Sequence, residues 1–156
     1  EAGECPAEAV PELKPVMDAI KAQFSDVSKE NIGIGSTIFA VKPGDGSARE
    51  QAASCQKVLG GWANIANEYA TKRYRSNLIN WGMLPFLIPA GDLPFANGDY
   101  LFFPQVRKAV ADKVDSITGY VVKADGLKKF QVTLGELTDD EREIILQGCL
   151  INYNRR

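Results

Sequence analysis

The sequence contains no histidine and only three cysteines among its 156 residues. Without histidine, the chain cannot form a Ser-His-Asp triad, a Cys-His pair or a histidine metal site. Cys5, Cys55 and Cys149 show no CxxC spacing, which argues against a disulfide framework and against a metal or cluster site in this chain. Free thiols fit a reducing compartment, so we expect a cytoplasmic protein. Any proton chemistry must then use Ser, Lys, Tyr or carboxylate groups.

A large charge of one sign and long apolar runs are also missing. Lys and Arg number 18 and Asp and Glu number 20, which argues against a nucleic-acid binder that works through bulk charge. No run of 18 apolar residues occurs, so the sequence excludes a membrane-spanning helix. The first residue is Glu1 and no basic or apolar leader follows, so we expect a processed or excised piece of a longer protein rather than a signal peptide.

The order of the periodic segments predicts a mixed α/β domain. Residues 1–30 are predicted to form a lead-in with one amphipathic helix at 15–24, and residues 31–156 the domain proper, with a single domain overall. The predicted helices are 48–59, 70–80 and 138–150, with a helical turn at 104–112. The predicted strands are 32–41, 62–69, 84–88, 100–103, 117–123 and 129–134. Early strand–helix alternation predicts at least one parallel pair, while Ala124-Asp125-Gly126 predicts a late hairpin and residues 153–156 a tail.

A glycine-containing turn between a predicted strand and a predicted helix, residues 44–51 (GDGSAREQ), carries the most chemical information. A helix start presents unpaired N–H groups and the positive end of a dipole, which together favour an anion. Ser47 is predicted at the N-cap, and Arg49 offers a planar fork suited to a carboxylate or phosphate. Ser47 and Glu50 also fit an ordinary capping box, so the spacing alone leaves both interpretations open.

Two separated motifs resemble the aconitase superfamily. Residues 46–53 (GSAREQAA), followed by Leu59-Gly60-Gly61, resemble the family stretch Gly-Ser-Ser-Arg-Glu-(His or Gln)-Ala. The family pattern continues with a buried strand, a Phe/Tyr-Ala pair and an Asn-Leu-x-x-x-Gly-(Leu or Ile)-Leu-Pro segment. Here these are Tyr69-Ala70 and residues 77–85 (NLINWGMLP). The resemblance covers residues 31–103 well, and two motifs in the right order are more specific than one.

The resemblance implies a three-layer swivel-type domain with a mixed, partly parallel sheet flanked by helices. Such a domain is either the C-terminal part of a larger hydratase or a separate small subunit, as in isopropylmalate isomerase. Aconitase-like hydro-lyases dehydrate and rehydrate hydroxy di- or tricarboxylic acids, with a [4Fe–4S] cluster acting as Lewis acid. The cluster is expected in partner domains or a large subunit, so the isolated chain is expected to have no turnover.

The resemblance also assigns roles to residues of the turn. It implies that Ser47 is the catalytic base and that Arg49 binds a substrate carboxylate, with Gly46 and Ala48 completing the substrate-binding turn. Ala48 stands where the family has its second Ser, so one hydroxyl donor is missing.

Two alternatives of other classes stay open. The chain is then either a non-catalytic module that captures a carboxylate or phosphate at the turn, or an interaction module in which Ser47 only caps a helix. The basic residues Lys72, Arg73 and Arg75 fit a solvated face, but one of them meeting substrate or a partner domain is the functional alternative. The two tryptophans, Trp62 and Trp81, are predicted to serve in core or inter-domain packing.

Overall fold

The computed structural model describes residues 11–28 and 31–155. Cys5 and the first part of the predicted lead-in lie outside the described residues. The chain divides into two compact units. The first takes the described residues up to Ile34 together with Asp92–Pro104 and Thr118–Phe130, and the second takes Gly35–Gly91, Gln105–Ile117 and the described residues from Gln131 onward. No helix in these ranges has the length and apolar character that a membrane crossing requires.

The described residues contain six helices and six strands, which alternate from α1 to β3. The helices are α1 (Leu13–Gln23), α2 (Arg49–Val58), α3 (Lys72–Asn80), α4 (Val106–Ala111), α5 (Asp139–Gln147) and α6 (Leu150–Tyr153). The strands are β1 (Ser36–Ala40), β2 (Gly61–Ala66), β3 (Leu84–Leu87), β4 (Tyr100–Phe102), β5 (Ser116–Lys123) and β6 (Gly126–Thr133). Each predicted element is present, with bounds that differ by a few residues.

The strands form one mixed sheet in the order β1-β2-β3-β6-β5-β4. β1 pairs with β2 and β2 with β3 in parallel, with Ile65 of β2 opposite Phe39 on one side and Phe86 on the other. The pairs β3–β6 and β4–β5 are antiparallel. The prediction of a mixed, partly parallel sheet flanked by helices is therefore confirmed.

The parallel part of the sheet lies in the second unit and carries its core. Five of the six residues of β2 are buried, all except Trp62, as expected for a parallel strand covered on both faces. A hydrophobic cluster joins Ala53 of α2 to Tyr74 and Leu78 of α3 and to Met83 before β3. Trp81 packs against this cluster, as predicted. Trp62 is 50% exposed, so the core alternative is wrong for it, and inter-domain packing of Trp62 stays a prediction.

In the first unit, α1 buries Leu13, Met17 and Ile20, whose spacing of three and four residues puts them on one helix face. Phe24, which follows the helix, lies edge-on to the rings of Phe102 and Tyr120, each 5.3 Å away between centroids. The predicted amphipathic helix is therefore confirmed.

Two predicted boundaries are wrong near the C-terminal end of the chain. Thr138 and Glu141 form the predicted capping box of α5, but the helix ends at Gln147 because Gly148 adopts φ 88°. The chain then resumes as α6, so Tyr153 belongs to a helix and not to a tail. In the hairpin, β6 begins at Gly126, three residues before the predicted start, because the connection from β5 is only two residues long.

Candidate functional site

The loops that follow the three parallel strands are joined by hydrogen bonds. After β1 and β2, the backbone N–H of Glu68 donates to the Val41 carbonyl (3.1 Å) and that of Ala70 to the Pro43 carbonyl (2.9 Å). These bonds continue the parallel pairing beyond the strands. In α/β sheets, ligands bind at the carboxyl ends of parallel strands, which is the edge these loops occupy.

The loop after β2 is also tied to the segment after β3. The side-chain amide of Asn67 donates to the carbonyl oxygens of Ile88 (3.0 Å) and Pro89 (3.2 Å), and the Ile88 N–H donates to the Ala66 carbonyl (2.9 Å). All three loops are therefore connected at one edge of the sheet.

The loop after β1 leads into α2, and the helix starts later than predicted. Its N-cap is Ala48, whose side chain makes no capping hydrogen bond, and Arg49 is the first helical residue. The predicted capping box between Ser47 and Glu50 is therefore absent. A serine at N-cap would bond an N–H two or three residues on, but Ser47 lies one position too early for that geometry. Its side chain is exposed and bonds no residue of the described ranges.

Arg49 is half-buried and held by one of its nitrogens. Its Nε donates to the Gly44 carbonyl of the same loop at 3.2 Å. Neither terminal nitrogen makes a hydrogen bond or ion pair within residues 11–28 and 31–155. The outer edge of the guanidinium thus keeps two parallel donors, the arrangement that matches a carboxylate or phosphate.

The side chain of Tyr74 in α3 packs against the loop that follows β1. Gly44 has φ 98°, and a Cβ built on it would lie 2.5 Å from Cβ and Cγ of Tyr74. The backbone at Gly44 therefore rests directly on the Tyr74 side chain, and only glycine fits this position.

The Tyr74 hydroxyl is the centre of a buried polar group. It accepts hydrogen bonds from the side-chain amides of Gln56 (2.9 Å) and Asn64 (3.1 Å). Nearby, the Tyr69 hydroxyl donates to the carbonyl of Phe86 (3.0 Å) and to that of Asn64 (3.3 Å). Burial and the neighbouring Tyr74 raise the pKa of Tyr69 above its usual range, so its phenol stays a neutral donor.

The structure places the predicted site residues Gly46, Ser47, Ala48 and Arg49 together in one turn. The first three are exposed, and a Cβ on Gly46 would meet no atom within 4 Å. No neighbour of Gly46 within the described part of the chain therefore requires a glycine there.

The three basic residues of α3 differ in exposure and in hydrogen bonding. Lys72 and Arg73 are exposed. Arg75 donates through Nη2 to the carbonyls of Leu134 (3.0 Å) and Glu136 (2.7 Å), so it fastens the segment after β6 to α3.

The described residues contain no group of three or more cysteine, histidine or acidic side chains placed to hold a metal ion. Cys55 is exposed and Cys149 half-buried, and both are free thiols.

Comparison with known families covers this part of the chain. Residues 31–91 match the model of the family described as the aconitase C-terminal domain. This segment belongs to that family. The match starts shortly before β1 and ends after β3, so it includes the parallel strands, α2, α3 and the turn with Ser47 and Arg49. Membership in this family implies an aconitase-like hydratase. No curated protein matches the chain.

Sequence reasoning missed the residues that support the turn. Thr71 accepts the Tyr74 N–H at 3.1 Å as the N-cap of α3, and its own hydroxyl donates to the Gly44 carbonyl at 3.3 Å. A threonine immediately before a helix is a recognised capping signal, so this role was detectable. Its contact with Gly44, 27 residues earlier, had no sequence signal.

Proposed function

We propose that this chain is the swivel domain of an aconitase-like hydro-lyase, and that it binds a hydroxy di- or tricarboxylic acid at residues 46–49. The observation that carries the proposal is an exposed Ser47 two residues before Arg49, whose terminal nitrogens make no hydrogen bond within the described residues. Both lie at the carboxyl edge of parallel strands and within the segment that matches the family.

Arg49 is proposed to bind a substrate carboxylate. Its half-buried guanidinium is held by Nε, so little side-chain freedom is lost when the outer edge pairs with two carboxylate oxygens. A charge-assisted pair of this kind is stronger and more directional than a contact to a lysine ammonium. Gly46 and Ala48 complete the turn, and their small side chains leave the approach to Arg49 open.

Ser47 is proposed as the base that removes a carbon-bound proton and returns it in the reverse reaction. A serine hydroxyl needs strong stabilisation of its anionic form for this task. The start of α2 supplies N–H groups without a side-chain cap and the positive end of the helix dipole, and the Arg49 guanidinium adds a full positive charge. The Ser47 hydroxyl is also uncommitted to the described part of the protein, so it is available to a ligand.

The [4Fe–4S] cluster of the family is assigned to partner domains or a large subunit. The described cysteines are not grouped to hold it. The expected consequences are that the isolated chain has no turnover and that it works with a cluster-bearing partner. A cytoplasmic location remains a prediction from the free thiols.

The test combines the chain with cluster-bearing domains and follows dehydration of a panel of hydroxy di- and tricarboxylic acids by absorbance of the unsaturated product. Ser47→Ala is expected to lower kcat about 10²- to 10⁴-fold, the usual contribution of a positioned base. Arg49→Lys is expected to raise KM. The matched controls are Ser54→Ala, on α2, and Arg155→Lys, an exposed arginine far along the chain; both should retain activity.

Unfolding by urea separates this role from a structural one. Since Ser47 caps nothing, Ser47→Ala should change the free energy of unfolding by less than about 0.5 kcal/mol. Thr138→Ala, which removes a true cap from α5, should cost about 1 kcal/mol. Full activity of Ser47→Ala would overturn the proposed base.

A non-catalytic binding module is the second candidate. The uncapped start of α2 and the free edge of Arg49 would bind an anion without any chemistry. Calorimetry with citrate and with phosphate distinguishes it: binding lost in Arg49→Gln, with no activity towards any acid in the presence of the partner, favours this candidate. The interaction module stays a prediction, but the cap role it gave to Ser47 is wrong, because the N-cap of α2 is Ala48.

A further inference from the structure

The Gly44 carbonyl oxygen receives two side-chain donors from different parts of the chain. Arg49 Nε donates from α2 at 3.2 Å, and Thr71 Oγ1 donates from the start of α3 at 3.3 Å. A carbonyl oxygen has two lone pairs, so these donors fill its capacity. The direction of the Gly44 peptide is therefore fixed from both sides.

Thr71 is itself held firmly. Its hydroxyl oxygen accepts the Tyr74 N–H, so its proton is free to point at Gly44, and its extended backbone (φ −144°, ψ 146°) is that of an N-cap residue. Tyr74 in turn lies directly beneath Gly44. The start of α3 thus fixes the Thr71 hydroxyl, the Tyr74 ring and the Gly44 carbonyl relative to one another.

The consequence concerns the direction of the Arg49 side chain. With Nε bonded to a fixed carbonyl, rotation of the guanidinium is limited and its two terminal nitrogens keep one orientation. If the Gly44 peptide were free to turn, the Nε bond would weaken and the guanidinium would sample several directions. Binding of a carboxylate would then have to restrict this motion, which lowers affinity.

We infer that Thr71 is a positioning residue for Arg49, acting through the shared Gly44 carbonyl. The inference deepens the proposed function, since it rests on Arg49 binding the substrate carboxylate. It predicts that the donor proton of Thr71 matters for substrate affinity, beyond the value of Thr71 as a helix cap.

Three substitutions separate the donor from the cap. Thr71→Ser keeps both the donor proton and the cap acceptor. Thr71→Asp keeps a good cap acceptor but has no proton to donate when ionised. Thr71→Val keeps the shape and loses both functions.

The first readout is the Arg49 Nε–H signal in ¹⁵N NMR of the chain, assigned by its loss in Arg49→Lys. Exchange of this proton with solvent should speed up by as much as about tenfold in Thr71→Val and Thr71→Asp, the effect of losing one hydrogen bond. Thr71→Ser should resemble the wild type. The second readout, with the cluster-bearing partner, is a KM raised by a similar factor in Thr71→Val and Thr71→Asp, with a smaller change in kcat.

Each outcome decides between the ideas. If Thr71 only caps α3, Thr71→Asp will match the wild type in both readouts, and the inference is overturned. If Arg49→Lys raises KM but neither Thr71→Val nor Thr71→Asp alters the Nε–H signal or KM, the inference fails while the proposed function stands. If Arg49→Lys leaves KM unchanged for every acid, the role of Arg49 in the proposed function fails, and the Nε–H signal still shows whether Thr71 orients Arg49.

Discussion

Gly44 offers the sharpest test of how the loop with Ser47 and Arg49 is supported. We consider Gly44→Ala, with Gly46→Ala as its control two residues later in the same loop. A Cβ at Gly44 would lie 2.5 Å from two carbons of Tyr74, on a backbone with φ 98°. A Cβ at Gly46 would have nothing within 4 Å, and its φ lies outside the left-handed range.

The magnitude follows from two costs and one gain. Placing an alanine at positive φ costs about 1–2 kcal/mol, and crowding against a packed side chain adds about 1–3 kcal/mol. The reduced freedom of the unfolded chain returns about 0.4–1 kcal/mol. Gly44→Ala should therefore lower the free energy of unfolding by about 1–5 kcal/mol, whereas Gly46→Ala should stay within about 0.5–1 kcal/mol of the wild type.

Urea denaturation followed by tryptophan fluorescence measures both variants, with the slope of the transition compared to check that the unfolded states are alike. Equal stability of the two variants would refute the reasoning, because it would mean that Tyr74 does not lie against Gly44. A loss larger in Gly46→Ala than in Gly44→Ala would mean that the loop has a different path altogether.

Two further predictions concern buried and charged groups elsewhere. Tyr74→Phe removes the acceptor shared by the Gln56 and Asn64 amides and should lower the free energy of unfolding by about 1–3 kcal/mol; Tyr100→Phe, at an exposed site, is its control, and a loss below about 0.5 kcal/mol would contradict the shared acceptor. The hydrogen bond from Lys123 holds the pKa of the Asp99 carboxyl below its usual value. Asp99 therefore contributes stability above its unfolded pKa, and this contribution is lost as pH falls through the lower folded pKa. In Lys123→Met, an NMR titration should show the pKa of Asp99 rising towards its usual value, and an unchanged pKa would exclude Lys123 as the cause.

Hydrophobic periodicity and helix-capping or turn residues predicted the helices and strands, because both signals act over a few neighbouring residues. α5 carries its own start signal in Thr138 and Glu141, and α3 ends before Gly82, which adopts φ 71° as expected for a helix terminus. The division of the chain at residue 30 into a lead-in and one domain stays a prediction.

Predicted helix boundaries were wrong where contacts with other residues overrode a local capping signal. Ser47 and Glu50 had the spacing of a capping box, but the Nε bond of Arg49 to Gly44 and the support of Gly44 by Tyr74 fix the loop, and α2 begins after Ala48. The exposure of the Trp62 side chain could not be predicted either, because the residue type does not show whether a side chain on a strand faces the core or solvent. The link from Thr71 to Gly44 joins residues 27 apart, and such contacts arise only once parallel strands have brought their carboxyl ends together.

The start of α2 lacks a stabilising side-chain cap, and this loss of stability suits the proposed site. A capped helix start is more stable by about 0.5–2 kcal/mol than one with alanine at the N-cap, and this chain forms such caps at Thr71 and Thr138. At α2 the cap position is Ala48, although a serine stands directly before it. Had Ser47 been the cap, its hydroxyl would have been bound to the helix and unavailable as a base. Leaving the cap to Ala48 keeps both the hydroxyl and the first N–H groups of α2 uncommitted. Functional sites are where such departures from the most stable local sequence are expected.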